Sequence, residues 1–198
     1  MEQGSPEWLA LRCGKITGSR FKDVMALHKR NGTPNKPRLD LIETLRAELA
    51  TGVPEYAEAN EYMAHGTAME PLARAAYEFL ADCRCVVPAF IQHPTLPYIG
   101  FSPDGLVGED GVIEIKSPAL EPRHMRTVES QRVPDDYWWQ VQGSLWVSGR
   151  QWCDFISYFP AISVEVVRTY RNESDIERLA AECAAVWAQV IAQEEIAA

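Results

Sequence analysis

A chain of 198 residues with 46% hydrophobic content is long enough to bury one sizeable core, so a single domain over residues 1–198 is the expectation. No run of eighteen apolar residues and no basic-then-apolar leader occurs, which argues against a membrane span and a signal peptide. Five scattered cysteines lack Cys-x-x-Cys pairs and partner histidines, so they read as reduced thiols of a cytoplasmic protein. The net charge of −9 is unevenly spread: residues 1–40 hold eight Lys/Arg against four Asp/Glu, and a second basic set follows at Arg123, His124, Arg126 and Arg132. An acidic shell with local basic strips suits nucleic acid gripped along an inner channel and equally suits an ordinary acidic protein.

In chain order, Ser5-Pro6 opens a short helix through about Arg12, with Ser as N-cap and Pro at the first position. A second helix is expected from near Thr17, with Phe21, Val24 and Met25 on its apolar side, then a polar loop over 28–40. Leu41, Leu45 and Leu49 recur at helical spacing before Gly52, which suits the position just past a helix end. Another helix covers roughly 58–81, with a break at Gly66 or Pro71. Strands are expected at 84–92, 97–107 and 112–117, then an aromatic-rich helix over 135–148 stopped by Gly149. Strands at 151–159 and 162–170 follow, and a last helix starts near Asn172 or Ser174, where Ser174-x-x-Glu177 is a capping box. Grouped helices with a mostly antiparallel sheet give an α+β or mixed α/β fold.

The richest stretch is Gly-Phe-Ser-Pro-Asp-Gly-Leu-Val-Gly-Glu-Asp-Gly-Val-Ile-Glu-Ile-Lys-Ser-Pro over 100–118. Two strand-like runs flank a Gly-Glu-Asp-Gly turn, and period-two alternation puts Glu114 and Lys116 on one face with Ile113 and Ile115 on the other. Folding back at 108–111 brings Asp104 nearly opposite that pair. Two carboxylates held close favour a divalent cation between them, and an adjacent ammonium can steady an attacking hydroxide or the charge of a phosphoryl transition state. The plain alternative is a solvated hairpin face.

Other candidates have competing explanations. Gln140 lies on the first turns of the helix after the hairpin; it is a site residue or a surface glutamine, and Gln142, about 200° around the helix, cannot face the same place. Trp138, Trp139 and Trp146 read as core. Glu70 is a further carboxylate for the site or the partner of Thr67 in a capping box, the cap being favoured by the residues themselves. Arg12 and Ser19 flank a Lys-Ile-Thr-Gly turn that could cradle a phosphate, or Arg12 is simply a surface residue. No nucleophilic triad and no Gly-rich phosphate loop can be assembled.

Taken together, Trp8-Leu-Ala-Leu-Arg12-Cys-Gly-Lys-Ile-Thr-Gly-Ser19, Gly66-x-x-x-Glu70, Ser102-Pro-Asp104-Gly, Glu114-Ile-Lys116-Ser-Pro and Gln140-Val-Gln-x-Ser-Leu-Trp-Val follow one another in order. The series resembles the lambda-exonuclease branch of the PD-(D/E)XK nucleases, the YqaJ-type viral recombinases, from about residue 5 to residue 160. The resemblance implies a restriction-endonuclease-like fold, a central mixed sheet flanked by helices. It also implies a Mg²⁺-dependent exonuclease, with Mn²⁺ as a possible substitute, that digests one strand of linear duplex DNA from its 5′ end. Its products would be 5′-mononucleotides and a 3′ overhang for a single-strand annealing protein.

By the same resemblance, Asp104, Glu114 and the Ile115 backbone carbonyl would hold the metal, Glu70 would complete the acidic set in place of capping, Lys116 would orient water, and Gln140 would face the site. Arg12, Ser19 and Ser102 would bind the terminal 5′-phosphate, and Met63 would be an apolar wedge at the terminal base pair. A further phosphate-pocket arginine of the family falls one residue away from Arg123, and His93-Pro94 stands where the family has an upstream acid. A homotrimeric ring around DNA and a phage or prophage origin in a bacterial cytoplasm are implied in the same way. The alternatives are a structure- or sequence-specific endonuclease of the same superfamily and a non-catalytic DNA-end-binding scaffold.

Overall fold

A computed structural model describes residues 3–28, 30–55 and 61–192. Ser5 caps α1 (Pro6–Arg12), its hydroxyl accepting from the Trp8 amide. The expected second helix is instead β1 (Ile16–Thr17), a 3₁₀ turn, and the short α2 (Phe21–Val24), yet Phe21, Val24 and Met25 are buried as the pattern indicated. Then come α3 (Lys36–Thr51), closed by a left-handed Gly52, and α4 (Glu61–Leu80). Pro71 does not break α4, because Ala73 and Tyr77 beyond it are buried against the sheet and packing outweighs one lost N–H bond. The expected start of this helix at residue 58 lies outside the described residues.

The strands expected at 84–92 and 97–107 resolve into four short ones: β2 (Cys85–Val86), β3 (Ile91–Gln92), β4 (Ile99–Phe101) and β5 (Gly105–Val107). Next is β6 (Gly111–Lys116), then α5 (Glu121–Ser130), which the sequence pattern did not suggest. The remainder is α6 (Asp135–Ser148), ended by a left-handed Gly149, β7 (Trp152–Phe159), β8 (Ser163–Tyr170) and α7 (Glu173–Ile191). Asn172 caps α7, its side chain accepting from the Asp175 amide, so the capping box at Ser174 is not used.

The main sheet has the order β2-β5-β6-β7-β8, antiparallel except for the parallel β6–β7 pair, and a smaller sheet has the order β1-β4-β3. A parallel pair needs a long crossover, which α5 and α6 provide. The result is the mixed α/β architecture expected, with mixed sheets flanked by helices. No helix among the described residues is long and apolar enough to cross a membrane.

Both faces of β6 are covered, where the sequence had suggested a half-buried strand. Ile113 and Ile115 join Ala73 and Tyr77 of α4 and Ile156 of β7; Val112 joins Val141 and Leu145 of α6 with Cys153 and Phe155 of β7. The Tyr77 hydroxyl donates to Asp154 at 2.7 Å, and Asp154 takes both forks of Arg168, its cross-strand neighbour, which pins α4 to the sheet. Arg150 spans the β5–β6 turn, donating to the carbonyls of Val107, Gly108 and Gly111.

Close approach of α2 to α6 depends on Gly143, where an added Cβ would lie 2.2 Å from the buried Phe21 ring. Gly143→Val should therefore lower stability by about 2 kcal/mol through overpacking, read as a reduced urea midpoint at unchanged slope.

Candidate active site

Asp104 sits in the link between β4 and β5. Extending the β5–β6 register would set Ile115 opposite residue 103, but the chain leaves the sheet there, and the Pro103 carbonyl accepts from Gln3. The Asp104 carboxylate takes the vacated place, accepting from the Ile115 amide at 2.6 Å. Glu114, on the α6 face of β6 and 3% exposed, accepts from Gln140 Nε2 at 2.6 Å and pairs with Lys116 Nζ at 2.5 Å. Lys116 lies 5.0 Å above the Tyr137 ring, which stacks on Phe155. Glu70 approaches from α4 and is ion-paired with Arg74. Thr67 and Glu70 lie inside α4, where no free helix-start amides remain, so the capping-box reading fails.

These groups line one cleft of about 730 Å³, together with Ile115, Met63 and Arg123, and with Lys22, Tyr62 and Ser117. Met63 is half exposed on the first turn of α4, and Arg123 is exposed on the first turn of α5. Gln142 points away, donating to the Tyr170 carbonyl and accepting from the Asn172 amide. Trp138 and Trp139 pack on the core as expected.

Crowding of charge shows in proton affinities. Burial raises Glu114 to about 7, against the pull of Lys116 and with a further push from Asp104 and Glu70. Burial likewise raises Asp104, with Lys116, the Ile115 amide and Arg74 opposing. Glu70 is raised by burial and by Asp104, with Arg74 and Lys116 opposing. Burial alone would depress Lys116, but Glu114 and Asp104 overcome it and keep the ammonium charged. Among the described residues no three His, Cys, Asp or Glu side chains form a ready metal cage, and two of the site carboxylates, Glu70 and Glu114, are ion-paired with Arg74 and Lys116.

A second cavity of about 140 Å³ adjoins the first and is lined by Trp8, Arg12, Gly18, Ser19, Ser102 and Gln140. Arg12 stacks on Trp8 at 4.1 Å and donates to the hydroxyls of Ser102 and Thr17. Burial, then Arg20, lower its guanidinium to about 10, with Glu48 opposing; it is still a cation at neutral pH. Its hydrogen bonds thus go to neutral hydroxyls beside an open cavity, an arrangement suited to an anion. The turn carrying Arg12 is tied down by Glu48, which accepts from the amides of Gly14 and Glu55 and from both forks of Arg20.

The basic strips are less available than composition suggests. Arg20 pairs with Glu48, Lys36 with Asp40, and the buried Arg38 with Glu182. His124 is fully buried between Ser157 and Ser163, and burial lowers its pKa, so it is no member of a cationic surface.

Comparison with known proteins bears on the family and the fold. Residues 7–151 match the YqaJ-like viral recombinase domain. The chain belongs to that family. An alkaline exonuclease, LHK-Exo, from Laribacter hongkongensis is 35% identical with a TM-score of 0.87, over 97% of this chain and 95% of that one. A phage-related exonuclease from Haemophilus somnus 129PT shares the fold, with a TM-score of 0.73 over 93% and 96% of the two chains at 12% identity. The uncharacterized protein R354 of Acanthamoeba polyphaga mimivirus is 26% identical over 167 residues, and this chain spans only 29% of its length. YqaJ-like family membership and the alkaline-exonuclease match support a nuclease role.

Sequence reasoning missed Arg74, Tyr137, Lys22 and Tyr62. Arg74 and Tyr137 carried a signal: each lies three or four residues from a site residue on the same helix, at 70/74 and 137/140.

The Glu48 network makes a pH prediction. Arg20 and the Gly14 and Glu55 amides outweigh burial and hold Glu48 below its ordinary value of 4.5. A depressed folded-state pKa gives stability that is present above 4.5 and lost as pH falls through the folded value. Denaturant titrations of wild type should therefore lose stability below pH 4.5, and Glu48→Gln should be less stable at pH 7 and flatter across that window.

Proposed function

We propose that the chain is one nuclease domain acting as a Mg²⁺-dependent 5′→3′ exonuclease on linear double-stranded DNA, releasing 5′-mononucleotides and leaving a 3′ overhang. The observation that carries this reading is the adjacency of the two cavities: an anion pocket opens beside a carboxylate-and-lysine cleft, and Gln140 lines both. A 5′-phosphate held by Arg12, Ser19 and Ser102 would leave the next phosphodiester near Asp104 and Glu114, which restricts cutting to ends. A structure of LHK-Exo with dAMP supports a mononucleotide product.

The donors fit a hard divalent cation. Glu70, Asp104, Glu114 and the Ile115 carbonyl offer oxygen only, no His or Cys among the described residues lines the cleft, and burial, with repulsion between acids at Glu70 and Glu114, raises the carboxylates' proton affinities. Mg²⁺, or Mn²⁺ in its place, would supply Lewis-acid charge stabilisation and a more acidic water. Lys116 would orient that water and offset charge developing on the phosphate, with Tyr137 beneath it. Gln140 would keep Glu114 turned toward the cleft. Met63 would wedge the terminal base pair, and Arg123 would contact the backbone at the cleft rim.

In this account three copies close into a ring on duplex DNA ends and pass the overhang to a single-strand annealing protein. The setting is the cytoplasm of a bacterial host carrying the phage or prophage gene.

Digestion of a blunt, 5′-phosphorylated linear duplex with Mg²⁺, beside a closed circle and a 5′-hydroxyl duplex, tests the proposal. The linear DNA should be lost from its 5′ ends, the circle spared and the hydroxyl end slowed. Cutting of the circle would indicate an endonuclease, and binding without cutting an end-binding scaffold. Lys116→Ala should lower the rate by about 10²–10⁴-fold with its circular dichroism unchanged.

Cation binding should also be proton-linked. Glu114, raised to about 7, must lose its proton to take a cation, so binding should tighten as pH rises from 6 to 8. Calorimetry in buffers of different ionisation enthalpy should register net proton release.

A further inference from the structure

Arg74 stands out among the groups the proposed chemistry does not use. It lies one turn beyond Glu70 on α4, is 19% exposed, and its terminal nitrogen Nη2 donates to the Glu70 carboxylate. Its Nε reaches a different element, donating at 2.7 Å to the backbone carbonyl of Asp104. An ordinary ion pair one helix turn apart ends in solvent and links nothing else. Here one planar fork holds a carboxylate of α4 and the backbone of the residue bearing another, thirty-four positions along the chain.

The two carboxylates repel, Asp104 being the largest cause after burial of the raised proton affinity of Glu70. Without a bridge, α4 and the β4–β5 link would relax apart at this point. Tyr77, one turn further along α4, fixes the helix to β7 through Asp154 but does not reach the cleft. Lysine, a point charge on a flexible stem, cannot occupy both positions at once with fixed geometry.

Resting on the reading of the cleft as a cation-binding nuclease centre, we infer that Arg74 is a positioning residue: it sets the separation of Glu70 and Asp104, and through them the affinity for the divalent cation. The sign of the effect and a variant that keeps the charge together separate positioning from charge. Arg74 is itself a cation beside the cleft, so its removal favours a bound metal ion by Coulomb's law alone. Removal also lets the proton affinities of Glu70 and Asp104 rise, so weaker binding marks lost order where Arg74→Lys, which keeps the charge, shows it too.

The test is calorimetric titration of Mn²⁺ into the DNA-free protein for wild type, Arg74→Gln, Arg74→Lys and the control Arg84→Gln, whose residue is 91% exposed and pairs with Glu78. Arg74→Gln should bind Mn²⁺ about tenfold or more weakly, the loss typical when a group orienting a metal ligand is removed. Arg74→Lys should fall between it and wild type, and the control should match wild type. With DNA, kcat should drop in the Gln variant while KM for duplex ends stays near wild type.

A folded Arg74→Gln protein that binds Mn²⁺ as well as or better than wild type overturns the inference. If that variant does not fold, Arg74→Lys decides: its charge is retained, so weakened binding supports positioning and unchanged binding refutes it. Wild type that takes up no Mn²⁺ sinks the cation-site reading and this inference together, whereas wild-type binding with an unaffected variant sinks the inference alone.

Discussion

Glu114 is a carboxylate forced out of water between a sheet and a helix, and much of the molecule answers to that burden. A buried charge is tolerable only when paired and hydrogen-bonded, and removing one partner costs far more than the pair itself contributes. Lys116 and Gln140 supply the partners from two elements, β6 and α6. To put α6 there the chain makes a long crossover between β6 and β7, and that crossover is why these strands run parallel in an otherwise antiparallel sheet. The carboxylate's poor solvation is also what leaves it hungry for a proton, or for a cation.

The local half of this arrangement is legible in the sequence. Strict alternation through Ile113, Glu114, Ile115 and Lys116, with turn residues at 108–111, specifies a hairpin and a shared face for the acid and the lysine, because strand geometry has a period of two. The end of α6 at Gly149 is equally readable from capping chemistry, and its start from the acidic first turn at Asp135 and Asp136. What depends on tertiary partners is not. The residues of α5 that turn inward are His124 and Thr127, polar types that carry no apolar stripe. Thr67 and Glu70 mimic a helix start because Gly66 offers a break in the pattern, whereas α4 runs straight through it. Covering of both faces of β6, the Glu48 network and the reach of Arg74 to Asp104 all join distant parts of the chain that no periodicity connects.

Charge illustrates the same divide. A count of basic residues treats each as a surface feature, yet Arg20 and Arg38 are spent on internal carboxylates and His124 is held neutral between two serine hydroxyls. Arg12 differs because its hydrogen-bond partners are hydroxyls and its neighbour is a cavity. Cations that find carboxylates inside the fold stabilise it; Arg12, hydrogen-bonded to hydroxyls, keeps its donors beside a cavity.

Two side chains that do not exist govern how the Arg12 cavity meets the carboxylate cleft. At Gly143 the backbone of α6 comes close enough to Phe21 that a single methyl would collide. At Gly18 a Cβ would press on Phe101 at 3.2 Å and reach Gln140 at 3.9 Å. Both glycines flank Gln140, the partition between the two hollows, one across from it and one a helical turn along. Thickening either wall would leave every polar group intact and still change the distance from pocket to cleft. In the proposed nuclease, which would grip at one point and act at another, that distance is a dimension of the tool, and here it is machined by the omission of atoms.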